Sequence, residues 1–278
     1  MSARLRGIAR ETEAVVGAGR YRAPGGHEVD LARPLAAALS GTRLYGPGPV
    51  PVAALDTCRT PVFEVTGESS LQAARRLTAA APGKVAVLNY ASARNPGGGY
   101  LNGAQAQEEA LCRGSALYAT LLRAPEYYAR HRACRSAFYT DRVIHSPGVP
   151  VFRDDRGRFL EAPYTAGFLT SPAPNAGVVR RQEPDRAHLI PGALATRAGR
   201  VLEVAAVSGY RRLVLGAWGC GVFRNDPAEV AGAFHGLLCD GGRFAGHFEE
   251  VVFGVLDRSP GAAVREAFAR VFATQLQQ

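Results

Sequence analysis

Two adjacent glutamates, Glu108 and Glu109, stand a short polar stretch behind three consecutive glycines, Gly97, Gly98 and Gly99. Glycines lack the side chain that would keep a ligand away from the backbone. A helix opening at about residue 107 offers free N–H groups to an anion. A carboxylate at the mouth of such a site can exchange protons with whatever is bound. The combination points to a phosphate-bearing substrate and acid–base chemistry in one place. Neighbouring residues of a helix point about 100° apart, so the two acids cannot face a reacting centre equivalently. One carboxyl doing both proton-transfer jobs fits better than an opposed pair. Taken without the glycines, the two acids could simply complement a helix dipole.

A second glycine-rich stretch, Gly216-Ala217-Trp218-Gly219-Cys220-Gly221-Val222-Phe223, follows the apolar segment 212–215 and precedes Arg224-Asn225-Asp226-Pro227. Strand, glycine turn and helix in that order present backbone N–H groups to phosphate. Pro227 suits a first helical turn and Asp226 its cap. Both glycine turns follow strands, and open α/β sheets bind ligands at the carboxyl ends of their strands. Asn95 reads on its own as a turn residue before Pro96, and Phe223 as a core aromatic. Asn89 reads as a structural amide, Gln107 as a brace, and Asn175 as part of a turn edging the pocket.

The elements that must carry these turns can be read from periodicity. A helix is expected over 3–16, with Leu5, Ile8, Ala9, Thr12, Val15 and Val16 on one side. Glycine and proline then interrupt the chain through 17–26 and 46–51, so 1–58 is expected to be an N-terminal extension, mainly helical and loop. From 59 to 278 strands and helices alternate. Strands are expected at 62–65, 84–90, 142–146, 165–170, 212–215 and 250–256. Helices are expected at 69–80, 107–123, 192–207, 227–238 and 260–275. Alternation of this kind predicts an α/β domain with a central sheet covered on both faces.

Composition narrows the field. A chain of 278 residues with 47% hydrophobic content supports one sizeable core. No stretch approaches the roughly 18–20 apolar residues of a membrane span. Charges flank every apolar cluster of the N-terminus, which argues against a secretory signal and for the cytosol. Cys58, Cys112, Cys134, Cys220 and Cys239 are sparse and form no C-x-x-C pair, which predicts reduced thiols. The histidines lack metal-ligand spacing, so neither metal nor cofactor is expected. The net charge is +9, and Lys84 is the single lysine. A basic surface draws polyanions, nucleic acid included, although no aromatic–basic ladder of the single-strand-binding kind stands out.

The glycine triplet with Gln107-Glu108-Glu109 resembles the signature of the bacterial-type poly(ADP-ribose) glycohydrolases, which are built on a macrodomain. The resemblance implies a three-layer α/β/α fold with a central mixed sheet. It implies hydrolysis of ribose–ribose O-glycosidic bonds, with poly(ADP-ribose), ADP-ribosylated proteins and the DNA damage response as context. By similarity Glu109 is the acid–base residue, while Glu108 holds ribose hydroxyls or positions the loop. The implied substrate-binding set is Asn95, Gly97, Gly98, Gly99, Gln107, Gly219, Cys220, Gly221, Val222, Phe223 and Asn225. Asn95 would meet the distal ribose, the amides of 219–223 would hold the diphosphate, and Phe223 would pack on the distal ribose. Val222 and Phe223 would close the pocket, so that chain ends are cut and ADP-ribose is released. The adenine-stacking residue is left among Tyr100, Tyr118, Tyr127, Tyr164 and Phe152.

Rival readings have their own discriminators. Cys220 between glycines could be a nucleophile, but no histidine is placed to serve it. A macrodomain that reads ADP-ribose without cutting it would not need Gln107-Glu108-Glu109. Removal of single ADP-ribose units is sterically open, yet the glutamate signature points to the ribose–ribose bond.

Overall fold

The computed structural model describes residues 2–53, 57, 59–239 and 241–276. Ser2 caps the first helix, α1 (Ala3–Ala18), and Gly19 ends it in the left-handed region at φ 67°. Leu5, Ala9, Thr12 and Val15 form its buried stripe. A small antiparallel hairpin follows, β1 (Arg20–Arg22) with β2 (Glu28–Asp30), then α2 (Ala32–Gly41) and β3 (Arg43–Tyr45). The segment 1–58 is thus tied into the rest of the molecule, because β3 pairs antiparallel with β6 (Val143–Arg153) at the edge of the main sheet. Cys58 lies outside the described residues.

The remaining elements are β4 (Val62–Thr66), α3 (Ser70–Ala80), β5 (Val85–Tyr90), α4 (Gln107–Gly114), α5 (Leu117–Leu121) and α6 (Pro125–Ala133) before β6. After it come β7 (Phe159–Ser171), α7 (Ala176–Gln182), α8 (Ile190–Val207), β8 (Arg212–Leu215), α9 (Pro227–Leu238), β9 (Glu250–Gly254) and α10 (Ala263–Val271). The seven-stranded sheet has the order β3-β6-β7-β5-β8-β9-β4. Five neighbours, β7 through β4, run parallel, and β6 and β3 complete a mixed sheet. Alternate strand residues serve two cores. Ala86, Leu88, Leu213 and Phe253 face the cluster under α8, α9 and α10. Val85, Val87, Val214 and Val252 face the one that includes residues of α1, α3 and α4. The expected three-layer α/β/α arrangement is what forms.

Some boundaries differ from expectation. The helix expected over 107–123 breaks after Gly114, because Ser115 turns extended (φ −148°) and bridges to Val151 of β6. Ala116 N then donates to Pro150 O at 3.0 Å. The strands expected at 142–146 and 165–170 extend into a long hairpin, with Pro147 accommodated by a register shift between Ser146 and Val149. The helix expected over 260–275 begins as a 3-10 turn, and Gly261 at φ 76° separates it from α10.

Candidate active site

Parallel strands put their carboxyl ends on one edge, so β5, β8, β9, β4 and β7 deliver their following loops to the same rim. Gly216 is where three of them meet. A Cβ there would lie 2.3 Å from Tyr90 Oη and 2.5 Å from Gly254 O, which only glycine avoids.

The loop after β5 is wound tightly around the start of α4. Gly97 and Gly98 both take left-handed backbones, at φ 63° and 57°. A Cβ on Gly98 would lie 2.5 Å from Glu109 Oε1 and 3.3 Å from Glu108 Oε2. The glycines therefore admit the chain's own carboxylates as well as any ligand. Glu109 is 8% exposed. Its Oε1 accepts from Gly99 N at 2.9 Å. Its Oε2 is buried with no hydrogen-bond partner among the described residues. Glu108 is 3% exposed and committed elsewhere. Its Oε2 accepts from Ser92 N at 2.7 Å, and its Oε1 from Asn89 Nδ2 at 3.2 Å. Burial pushes its carboxyl up to about 8, ahead of the donors from Ser92 and Asn89, which favour the charged form. Asn89 also donates to Thr170 Oγ1 at 3.1 Å, the structural role expected of it.

Gln107 does not open onto the pocket. Its Oε1 accepts from Tyr90 N at 2.9 Å, and its Nε2 donates to Leu88 O at 2.8 Å and Ser70 Oγ at 3.0 Å. Every arm of the amide braces the end of β5. Asn95 sits in a turn, its carbonyl accepting from Gly98 N at 3.0 Å and its side chain in an exposed position.

Sequence reasoning missed the support beneath this loop. Arg113 Nη1 donates to Ala104 O at 2.7 Å, and Thr12 Oγ1 to Arg113 O at 3.0 Å. Tyr100 Oη donates to Glu13 Oε1 at 2.9 Å, so α1 underpins the 97–99 turn from about ninety residues earlier in the chain.

The loop after β8 is held differently. Gly219 (φ 72°) abuts Asn225 and Ala173, where a Cβ would come within 2.5 Å of each. Asn225 is buried and donates to Pro174 O at 2.8 Å and Gly219 O at 3.2 Å. Its amide nitrogen staples this loop to the one after β7, while its Oδ1 is buried with no hydrogen-bond partner among the described residues. The N–H groups of Gly219, Gly221, Val222 and Phe223 meet no acceptor among the described residues. Cys220 is the exception to the expected phosphate cradle, since its N–H donates to Ala217 O at 3.1 Å. Burial pushes its thiol up to about 12, far from a thiolate nucleophile. Phe223 is half-buried and packs at 5.9 Å on Tyr139, whose backbone is also left-handed at φ 59°. Val222 is 86% exposed. Asp226 caps α9 through Ala228 N and Glu229 N, as its place before Pro227 predicts.

Of the aromatics weighed for adenine stacking, Tyr100, Tyr127 and Phe152 are core residues. Tyr118 and Tyr164 keep partial exposure. No group of histidines, cysteines and acids among the described residues could hold a metal ion.

The profile of the microbial-type poly(ADP-ribose) glycohydrolase catalytic domain matches residues 9–154, just over half of the chain. This chain belongs to that family. The glycohydrolase also resembles solved structures along almost its full length. Poly(ADP-ribose) glycohydrolase from Thermomonospora curvata, bound to the inhibitor ADP-HPD, is 51% identical over 97% of this chain and 99% of its own, with a TM-score of 0.90. The Deinococcus radiodurans enzyme in complex with ADP-ribose is 47% identical over 86% of this chain and 97% of its own, with a TM-score of 0.79. No curated protein matches. The resemblance read at 95–109 thus holds. The family match starts within 1–58, where the sequence signal was weak, and the similarity to the Thermomonospora structure extends over the 216–227 loop as well.

Proposed function

We propose that this glycohydrolase removes ADP-ribose units from the ends of poly(ADP-ribose), with Glu109 as both general acid and general base. Breaking a ribosyl bond builds positive charge at the anomeric carbon and leaves an oxygen that needs a proton. Glu109 gives that proton, and its carboxylate then takes one from the attacking water. The observation that carries this reading is the division of labour in one carboxyl: Oε1 is fixed by Gly99 N, while Oε2 has nothing to pair with. An unpartnered buried oxygen is costly, which is consistent with a substrate group completing it. Glu108 holds the 92–97 turn, and in this reading it positions the loop. The unpaired N–H groups at Gly219, Gly221, Val222 and Phe223 favour a diphosphate laid along that turn. Phe223 packs on the terminal sugar, and with Val222 it limits entry to chain ends. The partners are poly(ADP-ribose) and the proteins that carry it, met in the cytosol during the response to DNA damage.

Glu109→Gln keeps an oxygen for Gly99 N but removes the proton donor. It should lower kcat by about 10²–10⁴-fold and leave ADP-ribose affinity within about twofold of wild type. An unchanged rate rejects the assignment. Tight ADP-ribose binding by the wild-type protein with no release from polymer would make it a reader. Chain-end cutting predicts that labelled polymer yields monomers before oligomers.

A further inference from the structure

Next to the 219–223 turn lies a concavity of about 240 Å³, lined by Asn175, Gly177, Val178, Arg181, Val222 and Arg224. It contains none of the residues assigned to proton transfer, and it shares Val222 with the wall of the terminal-unit pocket. Its charge is one-sided. Arg181 and Arg224 are exposed, neither guanidinium has an acceptor among the described residues, and no acid contributes to the lining. Arg224 is placed there against its backbone preference, at φ 56°. Two features hold it: Arg180 Nη1 donates to Arg224 O at 2.9 Å, and Gly177 leaves room for the Arg224 stem, which a Cβ would approach to 3.2 Å. Gly177 N in turn donates to Phe223 O at 2.9 Å, coupling the groove wall to the catalytic turn. The volume is below the roughly 300–1,000 Å³ of whole-ligand pockets and suits a fragment such as a diphosphate. Paired guanidinium forks match phosphate oxygens in number and geometry.

Resting on the reading above, we infer that Arg181 and Arg224 bind the diphosphate of the polymer unit next behind the one being removed. The groove holds the leaving side of the chain, while the catalytic turns hold the terminal unit. Affinity for polymer then exceeds that for free ADP-ribose, and the excess falls with salt.

The test compares wild type with Arg181→Gln/Arg224→Gln and with Arg181→Gln alone, which leaves the strained backbone untouched. Polymer binding followed by fluorescence anisotropy, with turnover in parallel, should show polymer Kd and KM raised about five- to tenfold at low salt. The single variant should show about a threefold rise. The kcat and the Kd for ADP-ribose should stay within about twofold of wild type, and the difference in polymer Kd should shrink at high salt. Unchanged polymer affinity in both variants overturns the inference. So does an equal loss of ADP-ribose affinity, which would put the arginines in the terminal-unit pocket. Loss of single-stranded DNA binding with polymer affinity intact would assign the groove to nucleic acid and overturn it too. If the wild type binds polymer but releases nothing from it, the catalytic reading fails, while the anisotropy comparison still decides the groove.

Discussion

The turn at 97–99 is filled from within by the carboxyl groups of its own helix, whereas the turn at 219–223 leaves four N–H groups without an acceptor among the described residues and is braced by Asn225. Both depend on glycine, but for unlike reasons. In the first, a missing side chain makes space for Glu108 and Glu109. In the second, Gly219 makes space for Asn225, and Gly221 stands in the open with nothing within 4 Å of its would-be Cβ. A glycine-rich loop therefore marks a close approach without saying what approaches, and only the packed chain shows whether the visitor is a side chain or a ligand.

Substitutions can separate the two turns. Gly98→Ala puts a methyl 2.5 Å from Glu109 Oε1 on a left-handed backbone. Displacing the carboxyl should cut kcat about 100-fold or more, with ADP-ribose Kd changed about threefold at most; near-wild-type kcat would mean that Glu109 is not positioned by this contact. Gly219→Ala drives a methyl into Asn225 and Ala173. It should raise ADP-ribose Kd about tenfold and cost about 2 kcal/mol of stability, with kcat within about threefold. A dominant kcat effect there would erase the distinction between the turns.

A gentler probe is the pH dependence of stability around Glu108. Its carboxyl ionises near 4.5 when unperturbed but is held neutral up to about 8 in the fold. The folded state thus keeps a proton that the unfolded chain has lost. This contribution is fully present below pH 4.5 and disappears as pH rises towards 8, at up to about 1 kcal/mol per pH unit. Glu108→Gln removes the slope, so the Tm difference between wild type and variant should shift against the wild type from pH 5 to pH 8. The opposite trend would show that the donors from Ser92 and Asn89 outweigh burial.

Much of the framework was legible in the sequence because its signals are local. Asp226-Pro227 fixed the start of α9, and the apolar runs at β5 and β8 placed both turns. The helix expected from residue 69 does begin there, where Ser69 and Gln72 form reciprocal caps on α3. What escaped involves distant partners. Gln107 reads as a brace, but that its partners are the end of β5 and Ser70, thirty-seven positions earlier, emerges only in the packed chain. The break after Gly114 depends on Val151 drawing Ser115 into a bridge. Tyr139 meets Phe223 from a stretch with no pattern of its own, and Arg113 and Thr12 reveal the underpinning by α1 only when packed. Residue types announced the chemistry, but which atoms remain available for it is a property of contacts across the whole chain.

The place of β4 has a consequence for how the molecule comes to be. This strand, among the first of the sheet to leave the ribosome, lies at the edge with β9 as its sole neighbour among the described residues, Val62 opposite Glu250 through Thr66 opposite Gly254. Its partner is synthesised nearly two hundred residues later, and closing so long a loop is slow. Gly216 likewise needs Gly254 against it before the rim is complete. A nascent chain would therefore hold its acid and its glycine turns in hand for most of translation, yet remain unable to cut until the last strand slides home.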